Sequence, residues 1–127
     1  MMLRGLRLLG LLLALGLMGG ELWRSWGAGR PLPFVLDDMV FGGLLLAGVA
    51  AARSASLAGQ RLLAAGFAGC AGMTYGSFFD KLVRPEAMET GNWDGGVLTV
   101  LVGLAFALSV IGTVGALALP TKAWSAR

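Results

Sequence analysis

The sequence predicts an all-α integral membrane protein, with four transmembrane helices in an up-down antiparallel bundle. Three observations carry that prediction. Of 127 residues, 57% are hydrophobic and 13% charged, against about 25% charged in an ordinary soluble domain. Four apolar segments follow one another, each long enough with its flanks to cross a hydrocarbon core about 30 Å thick. Gly, Pro and Ser breakers separate them, and the charged residues sort by the connection they occupy. Intrinsic disorder is excluded, because it requires low hydrophobicity and high charge.

The first span covers residues 3–22. Arg4 and Arg7 precede the run Leu8 to Met18, an order that also fits the basic and apolar regions of a signal peptide. Gly19, Gly20 and Glu21 follow where an Ala-x-Ala cleavage site would lie, so an uncleaved helix is expected. The second span covers 34–57. Its strictly apolar part, Met39 to Ala52, reaches only about 21 Å at 1.5 Å per residue. The helix must therefore draw in Asp37 and Asp38 at one end and Arg53 at the other, where polar ends reach the interface. Pro31 and Pro33 upstream suggest a helix start, so Asp37 is read first as a cap that complements the helix dipole. The third span covers 60–79. The fourth, 95–119, carries no charge and reaches about 37 Å, and Pro120 stops it. The breakers are Gly27 to Pro33, Ser54 to Ser56 and Pro85 to Gly91. Connections this short make neighbouring helices antiparallel within a single domain, 1–127.

Charge sets the expected topology. One face collects Arg4, Arg7, Arg53, Arg61, Lys122 and Arg127, with no acid. The other collects Arg24, Arg30, Lys81 and Arg84 with Glu21, Asp37, Asp38, Asp80, Glu86, Glu89 and Asp94. The positive-inside rule counts Lys and Arg, and the segregation of every acid points the same way. Both termini are expected in the cytoplasm, in a bacterial-type inner membrane. Trp23, Trp26 and Trp93 then anchor the outer headgroup level and Trp124 the inner one.

The absences narrow the chemistry. There is no His, and Cys70 is the single cysteine, which removes imidazole relays, His-containing zinc sites, intrachain disulfides and Cys-x-x-Cys metal sites. No nucleophile–base pair stands out, so the expectation is a protein that is not an enzyme and carries no cofactor and no metal. The net charge of +3 gives no solvated basic patch of the kind nucleic acid requires. The partners expected are the lipid bilayer and either other membrane subunits or a second copy of the chain.

Two groups of residues are candidates for a role. Gly66, Gly69, Gly72 and Gly76 form one stripe on the third helix, a smooth face for helix packing, since helices in lipid associate through close backbone approach. Asp37, Asp38, Tyr75, Ser77 and Asp80 gather where the spans meet the outer surface, and ionisable groups in a span are functional candidates. They suggest an outward acidic vestibule for a cation or small polar ligand, with Asp38 the deepest acid. In size and helix count the chain resembles the small multidrug-resistance transporters, and its Arg7-Leu-Leu-Gly10 start is similar to that of four-helix DoxX-like membrane proteins. The transporter family is defined by an acid embedded in the first helix, which here has none before Glu21, so no residue role is carried over. Two functions remain open: a non-enzymatic accessory or assembly subunit, or a small oligomeric transporter or channel.

Overall fold

The computed structural model describes residues 2–54 and 56–119. Four helices carry it: α1 (Met2–Ser25), α2 (Leu32–Ala51), α3 (Leu57–Val83) and α4 (Gly95–Ala118), with single 3-10 turns at Ala52–Ser54 and Pro85–Ala87. All four are long and apolar enough to cross a membrane. Pro120, Lys122, Trp124 and Arg127, used above to stop the last span and to charge one face, lie outside the described residues.

The boundaries differ from the expected spans for local reasons. α1 runs on to Ser25 and α3 to Val83, because nothing breaks either helix before Gly27 and Pro85. α2 ends at Ala51, and Ser56 starts α3 by accepting a hydrogen bond from Gly59 N at 3.0 Å. Asp94 caps α4 in the same way through Val97 N, at 3.1 Å. α2 begins at Leu32 with no side-chain cap, so Asp37 and Asp38 lie in its second turn and the capping role expected of Asp37 is not realised. Its carboxylate accepts instead from Asp38 N, at 2.7 Å.

Contacts along the helices fix their directions. Gly42 of α2 lies against Met18 of α1, and nearer the other end Arg7 Nε donates to Val49 O at 3.0 Å. Gly48 of α2 meets Leu63 of α3, while Phe41 meets Gly69. Gln60 Nε2 of α3 donates to Ala116 O of α4 at 2.8 Å, and Phe78 meets Gly103. Each helix therefore runs antiparallel to the next, and α1 closes the ring against α4 with the least contact.

Packing is concentrated in one half. The start of α1, the ends of α2 and α4 and the start of α3 form what we call the terminal end; the opposite end is distal. The contiguous core (Leu13, Ala14, Leu45, Leu63, Phe67, Cys70 and their neighbours) fills the terminal half and reaches the middle. Its close approaches are glycine-made: a Cβ on Gly48 would lie 2.6 Å from Leu63 Cα, and one on Gly66 2.7 Å from Leu45 Cα. The fully buried Phe67 ring occupies space left by Gly112 of α4 and Gly10 of α1. In lipid this backbone proximity, rather than apolar burial, draws helices together.

Candidate functional site

In the distal half the helices part around a cavity of about 1400 Å³. Its base is built from the end of α1. Glu21 there is 4% exposed, and Ser25 Oγ donates to its carboxylate at 2.7 Å. Arg24, one turn on, approaches the same carboxylate at 3.5 Å. The chain then turns back through Gly27 and Gly29, both at φ +68°, where a side chain would be strained. That reversal delivers Arg30 onto Glu21 in an ion pair and onto Ser25 Oγ at 3.0 Å. The Arg24 and Arg30 side chains are only 12% and 8% exposed.

The α3–α4 connection locks this base. Helix ends leave carbonyls without intrahelical partners, and Asn92 and Trp93 donate to carbonyls in and just beyond the last turns of α1. Asn92 Nδ2 donates to Trp23 O at 2.8 Å and Trp26 O at 2.7 Å, Asn92 N to Arg24 O at 3.2 Å, and Trp93 Nε1 to Gly20 O at 3.0 Å. Gly91, at φ +55°, lies against the Arg24 carbonyl so closely that no Cβ fits. Arg24 returns the contact through Nε to Glu89 O at 2.8 Å.

α2 and α3 supply the walls. Asp37 and Asp38 line the cavity half-buried, and neither forms an ion pair among the described residues. Lys81 is 7% exposed, and its ammonium donates to Ser77 Oγ at 2.7 Å and to Ser77 O at 3.3 Å. No carboxylate among the described residues lies within ion-pair distance of it. At the rim the exposed Asp80 pairs with Arg84, and the hydrogen bond that Arg84 donates to the Asp80 carboxylate, with that carboxylate's charge, raises the Arg84 pKa above its ordinary value. A solvent-exposed pair of this kind contributes little to stability.

Of the candidates named from sequence, Asp37, Asp38, Ser77 and Asp80 converge on this cavity, and Tyr75 does not. Its ring is 56% exposed and packs at 4.9 Å from Phe79 and 5.7 Å from Phe106. Adjacent helical positions diverge by about 100°, and Thr74 is the inward one. The cavity is not acidic as expected, because Arg24, Arg30 and Lys81 face it with Glu21. The available signal was Glu21 itself, one turn before Arg24 in an otherwise apolar helix. The glycine stripe also divides: Gly66 and Gly69 meet α2, whereas a Cβ on Gly72 or Gly76 would touch nothing.

No family model, curated protein or solved structure matches this chain.

The residues themselves must therefore carry the functional reading. Counting the buried and half-buried groups, Glu21, Asp37 and Asp38 balance Arg24, Arg30 and Lys81. Such a site is neutral overall, with Glu21 paired to the two arginines and with Lys81 on α3 and Asp37 and Asp38 on α2 outside any ion pair among the described residues. Among the described residues no three acidic or cysteine side chains converge as metal ligands would.

Proposed function

We propose that this is a multi-pass protein of a bacterial-type inner membrane, both termini cytoplasmic, that holds a small polar or amphiphilic ligand in its distal cavity without transforming it. The carrying observation is the buried Glu21–Arg24–Arg30 cluster with Lys81, set at the base of a large cavity. Buried charges are retained at such positions at a considerable desolvation penalty, and ionisable groups inside spans mark ligand paths. The core residues Leu45, Leu63 and Phe67 do not line the cavity, so one protomer offers binding rather than a continuous pathway. The orientation rests on the acids, all of which belong to the distal side.

Two experiments test this. Alkaline-phosphatase fusions after Arg30 and after Glu89 should be active and a fusion after Ser56 inactive; activity at Ser56 would reverse the orientation. Gly16→Phe projects a ring into the cavity from a position where a Cβ meets nothing. It should be produced at normal abundance and fail to complement deletion of the gene. Full complementation would sink the ligand-holding function.

A second reading, an accessory or assembly subunit packing against another membrane protein or a second copy, is favoured by Ala65, Ala68 and Gly72. These small residues are exposed on α3 at the spacing of a close helix contact. Ala68→Cys in a Cys70→Ala background would crosslink in membranes if a second copy sits there.

A further inference from the structure

The cavity has a shape as well as a charge pattern. Away from its charged base it continues between α1 and α4, with Leu9, Leu12 and Gly16 on one wall and Leu101, Leu104 and Leu108 on the other. Leu12, Leu101 and Leu104 are exposed, so the cleft opens sideways, toward lipid if the helices span a bilayer. From Leu9 to Glu21 the α1 wall rises about 18 Å at 1.5 Å per residue, and half of a hydrocarbon core about 30 Å thick is about 15 Å. The cleft matches one leaflet in length. Its volume of about 1400 Å³ also exceeds the roughly 300–1,000 Å³ of ordinary small-molecule sites.

The charged base leaves specific groups unsatisfied. Among the described residues Arg30 Nε is buried without a hydrogen-bond partner, and Glu89 Oε2 lies 3.7 Å from it. Buried donors are almost always paired. The Lys81 ammonium reaches, among the described residues, only neutral oxygens of its own helix. Asp37 and Asp38, on α2, have no cation in ion-pair contact among the described residues. One unpaired arginine donor, a lysine without a carboxylate and two carboxylates without a cation, all lining one cavity, complement a headgroup that carries a phosphate and an ammonium, since both ends would gain charge-assisted hydrogen bonds.

We propose that the α1–α4 cleft binds one zwitterionic glycerophospholipid, one of its two acyl chains between the helices, its phosphate on Arg30 and Lys81 and its ammonium at Asp37 and Asp38. This rests on reading the cavity as a binding site, and it names the ligand class. The full chain, purified in mild detergent, is titrated separately with phosphatidylethanolamine, phosphatidylglycerol, diacylglycerol and inorganic phosphate, and native mass spectrometry reads the bound species. One phosphatidylethanolamine per chain should bind, with phosphatidylglycerol about tenfold weaker and diacylglycerol and phosphate not retained. Lys81→Met, which strands no opposite charge, should weaken phosphatidylethanolamine about tenfold, the scale of one charged hydrogen bond. Gly16→Phe should abolish binding at an unchanged melting temperature. Gly43→Phe, equally free of clashes but off the cavity, should bind as wild type does. Equal retention of all lipids, unaffected by Gly16→Phe, means annular lipid and overturns the proposal. So does tighter binding of phosphatidylglycerol, or retention of phosphate alone. If no lipid binds while Gly16→Phe fails to complement the deletion, this proposal fails and the cavity's functional role stands; if Gly16→Phe complements, both fail.

Discussion

The two halves of this bundle solve different problems with the same four helices. In the terminal half, glycines bring α2 and α3 into backbone contact and Phe67 fills the centre between Gly10 and Gly112. In the distal half the helices stand apart, and what joins them is polar: Glu21 with two arginines, and Asn92 and Trp93 on the end of α1. The difference teaches where each kind of residue can vary. Close packing tolerates no added atom, whereas the cavity tolerates added bulk but not a stranded charge.

The largest effect should come from the polar half. Glu21→Ala leaves the largely buried Arg24 and Arg30 with only the exposed Glu89 carboxylate nearby, and breaking a buried pair from one side costs about 3–5 kcal/mol. Denaturation in detergent should show that loss, and Glu21→Gln should recover little because the charge is still missing. A near wild-type melting temperature for Glu21→Ala would mean the cluster does not hold the distal half together.

Next come the glycines, where the halves can be compared at constant chemistry. Gly48→Ala and Gly66→Ala each place a methyl against the backbone of the facing helix, and overpacking of this kind costs about 1–3 kcal/mol. Gly72→Ala, on the same helix as Gly66, has open space around it and should stay within about 0.5 kcal/mol of wild type. Equal losses at Gly66 and Gly72 would erase the contrast between the halves. A smaller effect belongs to Gln60→Ala, which removes the α3–α4 hydrogen bond to Ala116 O and should cost about 1 kcal/mol.

Much of the fold was legible because each span and breaker is a local property. Four apolar runs gave four helices, and the Ser54 to Ser56 breaker is where α2 ends and α3 is capped. The site was legible only in part. Asp37, Asp38, Ser77 and Asp80 were found from their place at the span ends, but Glu21 and Lys81 entered only as charges sorted to one face. Their burial depends on partners supplied by distant chain: Arg30 returning over a glycine turn, and residues 91–93 folding onto α1. Spacings of three likewise put Gly66 and Gly72 on one stripe, but at about 100° per residue six residues turn Gly72 roughly 120° away from Gly66, onto the exposed face it shares with Ala65 and Ala68. Asp37 failed as a cap because α2 starts at Leu32, a full turn earlier than the acids suggested.

Asp38→Asn has the smallest expected effect on stability and separates the halves most sharply. Asp38 is half-buried on the cavity wall and has no ion pair to lose among the described residues. Asn keeps its shape and removes its charge, so the stability should change by no more than a surface substitution changes it, about 0.5 kcal/mol. What should change is the balance of the cavity, which then carries one more cation than anion among its buried and half-buried groups. Phosphatidylethanolamine should lose an ammonium partner and weaken, while phosphatidylglycerol, with no ammonium to place, should gain on it. Paired melting curves and lipid titrations of Asp38→Asn and Gly48→Ala make the test. Gly48→Ala should lose stability and keep whatever lipid preference the folded protein has, and Asp38→Asn should do the reverse. If Asp38→Asn destabilises as much as Gly48→Ala and leaves lipid preference untouched, then Asp38 is part of the scaffold, and the distal half is packed for stability as the terminal half is.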